Sequence, residues 1–170
     1  ASQPQEPPSA PERPAAETRT LITGVPEVSD GDTLRFRGTA VREPMRVRLW
    51  GIDAPEDGQQ CGAVDAGDEA EGALVDLLPD GEHVQCVMVN FDDNNGRPNA
   101  ICTTTSGVDL GARMVELGWA LDYPEYSQGA YRAQEQAAAG LGVHSLACTE
   151  KPWEYRARRR REREAQRNAR

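Results

Sequence analysis

Residues 82–104 read EHVQCVMVNFDDNNGRPNAICTT, and the fold is decided there. Two strand-like runs, Glu82–Phe91 and Arg97–Thr104, flank the polar stretch Asp92-Asp93-Asn94-Asn95-Gly96. Asp, Asn and Gly tolerate the left-handed backbone that a tight reversal needs, so residues 92–96 form the turn of a β-hairpin. A hairpin centred near Asn94 sets Cys86 opposite Cys102 on paired strands, near enough to be bridged subject to local geometry.

Outward from the hairpin, Thr20–Gly24, Thr33–Arg37 and Met45–Ile52 alternate in the same way between Gly, Pro and Asp, which makes five strands. Three helical patterns accompany them. Residues 65–78 place Ala70, Ala73, Leu74, Leu77 and Leu78 on one face and stop at Pro79. Residues 109–117 carry Leu110, Met114 and Leu117 in register, with Asp109 or Ser106 as the cap and Gly118 as the stop. Residues 129–141 are rich in Ala and Gln. The expected fold is mainly β: a small closed five-stranded barrel of the oligonucleotide/oligosaccharide-binding (OB) type with about three α-helices. There is no internal repeat.

The 170 residues suit one domain with appendages. Residues 1–20 are Pro, Ala, Glu and Gln with hardly an aliphatic side chain, a composition expected to remain a disordered linker. Residues 21–150 form the domain and 151–170 an Arg-rich tail, helical or disordered. The tail from Arg156 to Arg170 holds eight arginines against two glutamates, a local charge of +6 in a chain of net −9, which leaves −15 on the rest. No apolar run approaches the length of a bilayer-spanning helix. The first residue is Ala and no signal-peptide pattern is present, as expected where a leading segment has been removed. With four cysteines this points to an extracytoplasmic protein, secreted or surface-tethered. Cys61 and Cys148 are the pair left over from Cys86 and Cys102. His83-x-x-Cys86 and His144-x-x-x-Cys148 raise a zinc alternative, but residues three apart on a strand point to opposite faces.

Three segments concentrate chemistry that stability does not require. Ser29-Asp30-Gly31-Asp32-Thr33 sets two carboxylates around a glycine at the start of a strand; alone it reads as a turn, and Leu34 stands where a helix-loop-helix calcium site would need an oxygen ligand. Arg46-Val47-Arg48-Leu49-Trp50-Gly51-Ile52-Asp53-Ala54-Pro55-Glu56 places both arginines on one strand face and ends in two carboxylates around a proline. The hairpin turn then launches Arg97. Alone, each has a bland reading as an exposed face or a solvated turn. Together, two carboxylates for a hard cation, a third to act on water and two guanidiniums for a phosphate are the parts of metal-assisted phosphodiester cleavage.

In order and spacing, Asp30-Gly31-Asp32-Thr33, Arg48 through Glu56, Gly96-Arg97 and Leu117-Gly118-Trp119-Ala120-Leu121-Asp122-Tyr123 resemble the active-site and closing segments of the staphylococcal nuclease (thermonuclease) family. The resemblance runs from about Leu21 to Cys148. It implies a five-stranded barrel with three helices and a calcium-dependent endonuclease that cleaves DNA and RNA to 3′-phosphate ends. Carried over by position, it assigns Ca2+ to Asp32, Asp53 and the backbone carbonyl of Ala54. Arg48 and Arg97 then clamp the phosphate and Glu56 activates water. Some relatives carry Thr at the position of Ala54, a change to which a carbonyl ligand is indifferent. Tyr123 is the expected stacking platform for a base, whereas Tyr126 and Tyr131 are equally readable as packing. Asn94-Asn95 stand where better-known relatives carry Lys and Tyr, which weakens nucleotide contacts there.

The substrate expected is DNA or RNA, preferably single-stranded, taken by a monomer. A body of −15 repels a polyanion, and the tail is a candidate for auxiliary phosphate attraction, against the alternative of a solvated helical extension. A serine or cysteine hydrolase is disfavoured, since no nucleophile-elbow pattern surrounds a serine. The competing readings are a catalytically inactive OB-fold module that binds nucleic acid or protein, and a calcium-stabilised exported interaction domain. A pure binding module has no need of Glu56 or a calcium pair.

Overall fold

The computed structural model describes residues 20–37, 45–92 and 96–170. The linker expected over residues 1–20 therefore lies, except for Thr20, outside the described residues, as do positions 93–95 of the hairpin turn. The strands are β1 (Leu21–Gly24), β2 (Glu27–Asp30), β3 (Thr33–Phe36), β4 (Met45–Leu49), β5 (Ile52–Asp53), β6 (Gln60–Cys61), β7 (Val64–Asp65), β8 (Val84–Asp92), β9 (Arg97–Thr104) and β10 (Leu121–Asp122). The helices are α1 (Ala66–Asp76), α2 (Leu110–Glu116), α3 (Pro124–Ser127), α4 (Arg132–Ala137) and α5 (Pro152–Asn168), with a 3₁₀ turn at Gly142–Ser145.

Six strands pair in the order β1-β8-β9-β4-β3-β2. The edges β1 and β2 are consecutive in sequence, separated only by Val25 and Pro26. A sheet whose two edges are joined by so short a link must curl until they approach, and the result is the half-barrel of an OB-fold. The expected strands are all present, but Glu27–Asp30 adds one to the main sheet, the two-residue strands β6, β7 and β10 are added outside it, and Met45–Ile52 divides at Gly51, whose φ of +76° turns the chain between β4 and β5.

Side-chain alternation builds the core. Along β9, Pro98, Ala100, Cys102 and Thr104 point inward while Arg97, Asn99, Ile101 and Thr103 do not. Leu34, Phe36, Val47, Leu49, Val84 and Cys86 fill the same interior. Burying one such large apolar side chain contributes about 1.5–3 kcal/mol. Helix α1 starts at the Asp65 cap, which accepts from the Asp68 N–H, and buries Ala66, Ala70 and Leu74, four residues apart. Helix α2 buries Leu110, Met114 and Val115 behind the Asp109 cap.

Among the described residues there are five α-helices rather than three. The helix expected over 129–141 is interrupted, because Gln128 and Gly129 adopt φ of +54° and +84° and Gly140 adopts +79°; α4 is confined between these breaks. The Arg-rich tail is the long helix α5. All four cysteines are in disulfides, Cys86–Cys102 across β8 and β9 and Cys61–Cys148 over 87 residues, which disposes of the zinc alternative.

Candidate active site

The β3–β4 register sets Thr33 opposite Arg48, so Asp32, one residue earlier, arrives at the level of Arg48, and its carbonyl accepts from the Leu49 N–H at 2.8 Å. The Gly51 turn then brings the chain back. Asp53, five residues after Arg48, returns beside it: Arg48 Nη2 lies 2.8 Å from Asp53 Oδ1 and 3.4 Å from Asp32 Oδ2. One guanidinium nitrogen thus spans two carboxylates that are 21 residues apart in the chain. Asp32 also accepts from Thr33 Oγ1 at 3.0 Å and from the Ala54 N–H at 3.0 Å. The side chain of Asp53 is wholly buried.

Two glycines permit this closeness. A Cβ on Gly31 would stand 2.7 Å from the Ala70 Cβ and 2.9 Å from the Ala54 Cβ, so the Asp30–Asp32 turn reaches both only because position 31 lacks a side chain. A Cβ on Gly67 would stand 2.2 Å from the Glu56 carbonyl oxygen. Helix α1 therefore supports the backbone of Glu56 directly. Gln59 locks the same loop: its Oε1 accepts from the Glu56 N–H at 3.1 Å and its Nε2 donates to the Glu150 carbonyl at 3.1 Å. A buried Gln between Glu56 and Cys61 was not singled out from sequence, because its second partner lies 91 residues away.

Concentrated charge shapes the titration. Burial and then the neighbouring Asp32 push the Asp30 carboxyl up to about 7. Asp32 moves the other way: burial opposes its charge, but Arg48 and the hydrogen bonds from Asp30, Ala54 and Thr33 outweigh it and hold it low. Burial pushes Asp53 up to about 6 despite its guanidinium partners.

The unexpected member of the site is Arg156, on the second turn of α5. Its Nη1 and Nη2 each lie 2.7 Å from an oxygen of Asp53, a bidentate pair, and Nη1 lies 2.6 Å from Glu56 Oε1. No sequence signal placed it there, since it is one of eight arginines in the tail and 103 residues from Asp53. Helix α5 is held by three further contacts. Cys148 is bonded to Cys61, Glu150 is tied to Gln59, and Trp153 stacks on Tyr123 with ring centroids 4.7 Å apart and planes 5° apart.

The other expected site residues fall as follows. Arg97 opens β9 and is half-buried; strand alternation sets it on the face of Asn99, the residue paired with Arg48 across β4 and β9. Arg97 and Arg48 thus share one face of the sheet. Tyr123 has one ring face taken by Trp153 and meets Tyr126 edge-on. Tyr131 is buried against Trp50, a packing role. Among the described residues one trio of carboxylates, Asp57, Asp65 and Asp68, brings its oxygens within 4.8 Å of one another, and capping of α1 by Asp65 accounts for that cluster.

The sequence profile described as "Staphylococcal nuclease homologue" matches residues 46–142. The chain belongs to the staphylococcal nuclease family. That match contains Arg48, Asp53, Ala54, Glu56, Arg97 and Tyr123; Asp32 precedes it and α5 follows it. The chain is 32% identical over 127 residues to the succinoglycan biosynthesis protein ExoI of Rhizobium meliloti (strain 1021), covering 72% of this chain and 63% of that protein. It is 34% identical over 120 residues to the probable staphylococcal-like nuclease CAN1 of Oryza sativa subsp. japonica, covering 68% of this chain and 33% of that protein. The chain thus spans less than two thirds of the length of each.

Proposed function

We propose that this family member is a calcium-dependent phosphodiesterase, an endonuclease that hydrolyses DNA and RNA to 3′-phosphate ends. The observation that carries the reading is the shared guanidinium nitrogen of Arg48, which joins Asp32 and Asp53 with the Glu56 loop beside them. The donor set fits a hard cation, for it is all oxygen and includes a buried carboxylate. A positive group already stands against it, the Arg156 guanidinium on Asp53 and Glu56.

Asp32, Asp53 and the Ala54 carbonyl would hold Ca2+, which when bound neutralises phosphate charge that otherwise repels an incoming hydroxide. Glu56 takes the proton of the water that attacks phosphorus, and the bond from phosphorus to the 5′ oxygen breaks, so the 5′ oxygen leaves as a hydroxyl once it gains a proton and the phosphate stays on the 3′ oxygen. Arg48 and Arg97 grip the phosphate and stabilise charge that grows on its equatorial oxygens, and the planar fork of Arg suits this better than the point charge of Lys. Tyr123 offers its ring to a base, with one face already stacked on Trp153. The substrate is preferably single-stranded, the enzyme acts as a monomer, and its two disulfides suit an oxidising, extracytoplasmic setting.

The test is incubation with single-stranded DNA and RNA, in calcium or in chelator, with analysis of the ends. Calcium-dependent products with 3′-phosphate ends support the reading. A calcium-dependent rise in melting temperature without cleavage would leave a binding module instead.

A further inference from the structure

Helix α5 has two kinds of arginine. Arg158 is spent in contacts with Glu150 and Glu162 at 2.7–3.0 Å, and Arg159 pairs with Glu162 at 3.2 Å. Arg160, Arg163, Arg167 and Arg170 form no ion pair among the described residues. Spacing of three and four residues sets Arg160, Arg163 and Arg167 on one face of α5, Arg170 follows just past its end, and all four line a single cleft of about 830 Å³. Arg156, four residues before Arg160, lines the inner end of that cleft beside Glu56. From Arg156 to Arg170 the stripe extends about 21 Å at 1.5 Å per residue.

We propose that this stripe is a binding track for the phosphate chain of a single-stranded polynucleotide, which it feeds towards the catalytic carboxylates. The inference rests on the nuclease reading and deepens it. Charge complementarity selects the occupant. The chain outside the stripe's helix is strongly acidic, so a polyanion meets favourable potential here and repulsion over most of the remaining surface. The helix is also covalently anchored. Cys148, four residues before Pro152, is bonded to Cys61 on the loop that follows Glu56, so a strand held on the track remains beside the site.

The test is fluorescence anisotropy of the full chain with labelled oligodeoxythymidylate in chelator, so that nothing is cleaved. Substitution of Arg160, Arg163, Arg167 and Arg170 together by Gln, which keeps helix propensity, is expected to weaken binding tenfold or more. It should also lower the steepness of the log affinity–log salt line by about 0.7 for each phosphate no longer neutralised. Arg163→Gln should act measurably and Arg161→Gln, outside the cleft, should not. Equal effects of these two single variants overturn the track, since they would mean diffuse charge. Tighter, arginine-dependent binding of polyglutamate or of phosphatidylserine vesicles overturns it too. Arginine-dependent binding without cleavage in calcium sinks the enzyme reading alone; cleavage of long strands unaffected by the fourfold variant sinks the track alone.

A separate observation carries a second inference. Arg156 occupies both oxygens of Asp53 and one of Glu56, atoms expected to take calcium and a proton. The geometry points to Arg156 as a resident counter-ion that competes with the divalent cation. Calorimetric titration of the full chain with calcium chloride, without substrate, tests this. Arg156→Gln should bind calcium about tenfold more tightly than the unaltered chain, while its melting temperature in chelator falls, since buried Asp53 loses its bidentate partner and keeps only Arg48. Arg156→Lys, which keeps the charge but not the bidentate fork, should fall between, and supplies the measurement should the Gln variant not fold. Unchanged or weaker affinity in the variants overturns the inference. Absence of calcium binding in every form overturns it together with the cation site.

Discussion

Two regions meet at Asp53 and are held there by different forces. The Asp32–Arg48–Asp53 side is fixed by strand register, by the Gly51 turn and by backbone hydrogen bonds to the carboxylate and the carbonyl of Asp32. The α5 side is held by a disulfide, an aromatic stack and ion pairs that all reach across more than 80 residues, apart from the stack, which reaches across 30. The first belongs to the barrel's own hydrogen bonding. The second depends on contacts from a helix outside the barrel, so it is the half expected to be adjustable.

The sharpest break on the fixed side is Glu56→Gln, expected to lower turnover about 10²- to 10⁴-fold at unchanged fold, measured as initial rate on single-stranded DNA in calcium. A variant as fast as the parent removes Glu56 from the chemistry. On the adjustable side, replacing Cys61 and Cys148 together by Ser should cost about 2–4 kcal/mol of stability, read from denaturant midpoints, and should loosen α5 before the barrel melts. Loss of Arg156 protection by the same transition as the barrel core, seen by hydrogen exchange of α5 amides, would mean that the two regions are one cooperative unit.

Gly67→Ala tests the seam between them. Its new Cβ cannot coexist with the Glu56 carbonyl 2.2 Å away, so the loop must shift; about 1–3 kcal/mol of stability and at least about tenfold in rate should be lost. The smallest effect is with pH. Asp30 is held protonated up to about 7, far above its unfolded value, so the folded state binds the extra proton between those values. Stability of the metal-free protein should therefore fall as pH rises from about 4 to about 7, and Asp30→Asn should flatten that slope in melting curves taken in chelator.

Much of this arrangement was legible beforehand where neighbours in space are neighbours in pattern. The hairpin, the cap at Asp109 and the inward face of α1 follow from local rules, and the Cys86–Cys102 bridge follows from hairpin symmetry. The segments that carry the family resemblance were legible as an ordered set, and the family match includes all of them except Asp30–Thr33. The helix expected over 129–141 was too long, because Gly129 and Gly140 took left-handed backbones that confine α4 to Arg132–Ala137. Gln59 and Arg156 were invisible for a different reason: each acquires meaning only from a partner 91 or 103 residues distant.

By itself the sequence determined five of the barrel's strands though not Glu27–Asp30, the carboxylates and guanidiniums on offer, and the surplus of arginine at one end, since these depend on side-chain type and on periodicities of two and 3.6. Only the tertiary structure decided which arginine of eight meets Asp53 and Glu56 and which four line the cleft without an ion pair. That choice is made by where α5 is anchored and by its rotation about its own axis, and neither is encoded in any short stretch of residues.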